Sequence, residues 1–63
     1  MFNFIQLTAP DGTQHTYNRH GDLACHTYEI CGHTRADFME AKVVAEQVDF
    51  AITRMGWVIT TCR

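Results

Sequence analysis

A chain of 63 residues has room for one domain, residues 1–63, and a domain that short buries only about 60% of its unfolded surface. Hydrophobic residues at 46%, charged residues at 19%, one proline and four glycines exclude a disordered tail and mark a globular chain. Seven acidic residues stand against five scattered basic ones (Arg19, Arg35, Lys42, Arg54 and Arg63), which disfavours nucleic acid as a partner and is too weak an excess for a nucleic-acid mimic.

The first segment, MFNFIQLTAPDG, lacks the basic start and long apolar run of a signal peptide, and no stretch has membrane-spanning length. Three cysteines cannot close a disulfide framework, so free thiols in a reducing cytoplasm are expected. Residues 2–8 predict a strand with Phe2 and Phe4 on one face and Ile5 and Leu7 on the other. Apolar residues on both faces suit a central strand, or a bulge near Ile5. Pro10 and Gly12 form the following turn, and TQHTYNR from Thr13 predicts a second, more exposed strand.

After His20-Gly21-Asp22, the run LACHTYEIC predicts a third strand. Leu23, Cys25, Thr27, Glu29 and Cys31 share one face, while Ala24, His26, Tyr28 and Ile30 share the face turned to the core. Gly32 ends it. Thr34 with Asp37, or Asp37 with Glu40, then has the spacing of a capped helix start, and Gly56 sits where a glycine would end that helix. WVITTC, Trp57 to Cys62, predicts a last strand. The expected class is α+β in the order β-β-β-α-β, a small antiparallel or mixed sheet with one long helix on one face.

At about 100° per residue, Phe38, Ala41, Val44, Ala45, Val48, Ala51, Ile52 and Met55 form the expected core stripe of the helix. Met39, Val43 and Phe50 fall almost opposite, among Glu46, Gln47 and Arg54. Methionine and aromatic residues are favoured at protein interfaces, so these six are the expected partner-binding residues.

The chemistry-bearing residues are sparse. Cys25 and Cys31 would be roughly 20 Å apart on an extended strand, too far to share one metal ion unless the strand bends sharply. Cys31 and His33 are the only close pair that could chelate, without the paired short spacings of known zinc sites, and no cofactor is expected. No phosphate loop, HExxH, nucleophile elbow or paired carboxylates is present, which argues against an enzyme. His15, His20, His26 and His33 could form a pH-responsive surface. Tyr17, Tyr28 and Trp57 could stack nucleic-acid bases, though Trp57 fits better as a core anchor on Ile52.

The strand and helix order is similar, in general outline, to small antitoxin-like and phage accessory domains, with no motif that carries residues across. The sequence points to a small cytoplasmic protein-binding module. Its expected mode is steric occlusion of a larger partner, as in a phage or mobile-element inhibitor of the anti-CRISPR kind, with self-association as the other use of the stripe. A zinc-stabilised domain and a nucleic-acid-binding accessory protein are the alternatives.

Overall fold

The computed structural model describes residues 3–63, so the expectation for Phe2 lies outside the described residues. Five strands and one helix follow in the order β1 (Phe4–Thr8), β2 (Gln14–His20), β3 (Leu23–Ile30), β4 (His33–Glu40), α1 (Ala41–Arg54) and β5 (Val58–Cys62). The strands form one sheet in the order β4-β3-β2-β1-β5, with every neighbouring pair antiparallel. The class is α+β as expected, with one strand more than the sequence indicated.

The hairpins explain that order. The β1–β2 turn is closed by Gly12 N–H to the Ala9 carbonyl at 2.9 Å and by Thr13 N–H to the Asp11 carboxylate at 2.9 Å. The second hairpin turns on Gly21, whose φ is 65° in the first position of a two-residue loop. The third turns on Cys31 and Gly32, with φ of 51° and 80°. Two successive positive φ angles are what a type I′ hairpin turn requires, and they send the chain straight back along β3.

That turn overturns two expectations. Cys31 leaves the strand face of Cys25 and sits in the turn. Residues 34–40, expected to open the helix, form β4 instead and pair with β3 from Leu23↔Glu40 to Ile30↔His33. The T-x-x-D signal is local, whereas the ladder satisfies a whole row of backbone groups and brings Met39, opposite Ala24, against the core. Phe38 faces away from the helix beside Cys25 and is 72% exposed, so it is no part of the core.

The helix begins at Ala41, and neither Thr34 nor Asp37 caps it. Its N-cap is Glu40, without a side-chain cap, and its first turn holds no acid. The Ala41 N–H instead donates to the Asp22 carbonyl of the second hairpin at 2.8 Å, so tertiary structure satisfies it. The C-terminal end follows the sequence. Gly56, with φ of 75°, comes after the C-cap Met55, and the Trp57 N–H returns to the Ala51 carbonyl at 3.1 Å. A Cβ at Gly56 would meet Pro10 Cγ at 3.7 Å, an ordinary contact, so an alanine there suffers only from its backbone angle. Gly56→Ala should therefore cost about 1–2 kcal/mol in urea melts, and an unchanged midpoint would contradict the left-handed helix stop.

The core lies between the sheet and α1. Ile5, Leu7, Tyr17, Ala24, Val44 and Val48 form its buried cluster, with Met39 and Trp57 packed on it. Ala41 and Ala51 are buried as expected; Ile52 and Met55 remain 36% and 48% exposed. β2, expected to be the more exposed strand, is the middle strand of five, and Tyr17 is 2% exposed. A register shift at Gln6/Leu7 makes a bulge between β1 and the edge strand β5, while β4 carries Arg35, Asp37 and Glu40 on the other edge. Bulges and charges both discourage pairing with a further strand.

Candidate functional site: a groove beside the helix

Antiparallel register decides which side chains share the helix side of the sheet. Tyr17 is opposite His26, and His15 is opposite Tyr28, so β2 and β3 bring four rings into one block. Tyr17 and His26 stack at 4.2 Å between centroids, His26 and Tyr28 lie at 4.6 Å, and Trp57 reaches over His15 at 4.0 Å. Each ring of the block has a stacked neighbour, Tyr17 on His26 and His15 on Tyr28. Trp57 is packed against the core cluster with His15 as its closest aromatic neighbour, while Ile52, its expected partner, is 36% exposed and outside that cluster.

Tyr17 is buried beneath helix α1, but His15, His26 and Tyr28 are only half-buried. The helix flank of Val43, Gln47 and Phe50 rises beside Tyr17, His26 and Trp57, and a groove of about 450 Å³ lies between them, with Glu46 also lining it. Ligand pockets commonly fall between about 300 and 1,000 Å³ and combine apolar walls with a few polar groups. Here the walls are mostly apolar, and His26 supplies a polar group. A second cavity of about 510 Å³ lies beyond Trp57 and Met55, which border both; it is lined by His15, Tyr28 and Ile30 among others.

Four of the six residues expected to bind a partner, Val43, Glu46, Gln47 and Phe50, therefore meet at one groove. Met39 does not join them, because it belongs to β4 and packs on the core. Arg54, in the last helical turn, does not line the groove.

The polar groups of the ring block are tied together. His15 Nδ1 and His26 Nε2 share a hydrogen bond of 2.8 Å, and the Tyr28 hydroxyl donates to Asp37 Oδ2 at 3.0 Å. Burial lowers the pKa of His26 to about 4, helped by the neighbouring His15 and opposed by Asp37. Burial also lowers His15, against the pull of Asp11. Tyr17 is pushed up to about 12 by burial alone, and Tyr28 is raised chiefly by its bond to Asp37. Both imidazoles are therefore neutral at pH 7. Strongly shifted groups in a cleft are a recognised mark of functional sites.

Of the four histidines, His15 and His26 meet, while His20 ends β2 and His33 begins β4. Cys31, in the turn, and His33 are exposed, and Cys25 lies on the outer sheet face. Among the described residues no group of three His, Cys, Asp or Glu side chains is placed to hold a metal ion, and no helix is long and apolar enough to cross a membrane.

The groove residues that sequence reasoning missed are Tyr17, His26, Ala51, Met55 and Trp57. Strand alternation turned His26 inward, which was a usable signal. Nothing local indicated that His15 would join it across the strands. Set against known protein families, characterised proteins and solved structures, the chain matches none.

Proposed function

We propose that this chain is a small protein-binding module that docks an apolar segment of a larger protein partner into the groove between α1 and the β2–β3 face. The supporting observation is the groove itself. Val43 and Phe50 keep 36% and 58% of their surface in solvent, yet they stand on one helix flank over a floor of Tyr17, His26 and Trp57. An apolar anchor inserted there would cover Val43, Phe50 and the open parts of His26 and Trp57 at once, the arrangement from which interface hot spots draw their energy. The charge balance supports a protein rather than a nucleic acid, because only five scattered basic residues are available against seven acidic ones.

The test is capture of partner from extracts of the natural source, with wild type, Phe50→Glu and Thr53→Glu compared. Thr53 lies on the solvent side of α1, so its variant is the control. Phe50→Glu should lower recovery of the wild-type partner by about 30-fold or more, the scale of a hot-spot loss. Equal recovery by all three would remove the groove from the interface. A wild-type dimer that Phe50→Glu dissociates would instead identify the occupant as a second copy.

A further inference from the structure

The two histidines have more to do than fill the sheet face. Their mutual hydrogen bond uses one nitrogen of each ring. Among the described residues the other two, His26 Nδ1 and His15 Nε2, have no hydrogen-bond partner, and neither is a buried, unsatisfied atom. They therefore remain within reach of solvent. His26 lines the groove beside α1, and His15 lines the cavity beyond Trp57.

A neutral imidazole carries one proton on two nitrogens. If His15 Nδ1 donates to His26 Nε2, then His26 Nδ1 holds the remaining proton of its ring and is a donor. If the bond runs the other way, His26 Nδ1 is a bare acceptor. The pair thus offers the groove either a donor or an acceptor, according to tautomer. An indole N–H fits only one of these states and a carboxylate only the other. A hydroxyl fits both, because it donates and accepts.

Apart from the polar Glu46 and Gln47 on the helix side, the remaining walls are apolar or aromatic, with Val43, Phe50, Met55 and Trp57 among them, and suit a ring. Among protein side chains only tyrosine joins an aromatic ring to a hydroxyl. We infer that the groove is a tyrosine pocket, in which a partner's phenol ring lies between Phe50 and Trp57 and its hydroxyl bonds to the His15–His26 pair. This rests on the protein-binding reading above and specifies the chemistry of the anchor.

The test uses p-cresol as the tyrosine side chain and toluene as the same ring without its hydroxyl, titrated into the intact protein. Trp57 is the only tryptophan, so its fluorescence reports the groove directly. A fragment of this size should bind with a Kd on the order of 1–10 mM. The hydroxyl should make p-cresol about 3- to 10-fold tighter than toluene, the scale of one neutral hydrogen bond. In His26→Phe that ratio should fall to one while toluene still binds. Since His26→Phe could disturb the sheet, proton NMR of the wild type is the second measurement: p-cresol should shift the ring protons of His15 and His26 and leave those of His20 and His33 in place. Equal binding of the two ligands by the wild type, or shifts confined to His20 and His33, would overturn the inference. It would also fall if p-cresol failed to bind while Phe50→Glu still abolished partner capture, and the protein-binding reading would then stand without the tyrosine pocket.

Discussion

Leu7→Ala should abolish most of the cooperative unfolding of this chain at room temperature, while Phe38→Ser should leave the melt almost unchanged. Leu7 is fully buried at the centre of the cluster that includes Ile5, Tyr17, Val44 and Val48. Truncating a buried leucine costs about 2–5 kcal/mol in lost transfer energy and cavity formation. A domain of 63 residues is expected to have only about 3–9 kcal/mol in total. The loss therefore ranges from about a fifth of the stability to all of it. Phe38 is a larger side chain, but at 72% exposed on the outer sheet face it has little to lose, and about 0.5 kcal/mol is the usual limit for such a site. Urea melts followed by Trp57 fluorescence would decide. If Phe38→Ser destabilised as strongly as Leu7→Ala, Phe38 would have to be a core residue, and the β4 hairpin would be wrong.

Acidification from pH 6.5 to pH 4 should lower the melting temperature by about 5–15 °C, most of it through His26. The sign follows from proton binding. A histidine in the unfolded chain has its ordinary pKa of 6.5, whereas burial holds His26 at about 4 in the folded state. Between those values the unfolded chain binds more protons, so folding stability is complete above 6.5 and is lost as the pH falls toward 4. His15, also lowered by burial, acts in the same direction. Because the His26 ring is only half-buried, solvent screening reduces the effect to about 1–2 kcal/mol. The double variant His15→Asn, His26→Gln keeps an amide near each bonded nitrogen and removes both titrations. Its melting temperature should be nearly flat over the window. A wild-type slope that persisted in the double variant would assign the acid sensitivity to other groups. The Asp11 carboxyl, held below 3.8 by the Thr13 N–H, would lose its bond only at lower pH.

The site was half legible. The 100° spacing of Val43, Gln47 and Phe50 placed them on one flank of any helix through residues 41–54, and that flank does form the groove wall. Met39 was carried along by the same periodicity because nothing in DFME forbids a helix. The floor was less accessible. Alternation turned His26 and Tyr28 inward, but their meeting with His15 and Trp57 depends on the β2–β3 register and on the turn at Gly56, which are non-local.

By itself the sequence determined the class of fold, the first two hairpin turns, the inward face of β3 and the helix stop at Gly56, because each depends on residues close in the chain. Turn glycines, two-residue alternation and the 3.6-residue period act locally, so they can be read locally. Tertiary structure decided the rest. Residues 34–40 carry a helix-start pattern and a strand-compatible alternation at once. Pairing with β3 across the Cys31-Gly32 turn, with Met39 sealing the core, is what selected the strand. The helix then starts at Ala41 and packs nearest β3 and β4, and the part-covered rings of His15, His26, Tyr28 and Trp57 border the groove and the cavity beyond it.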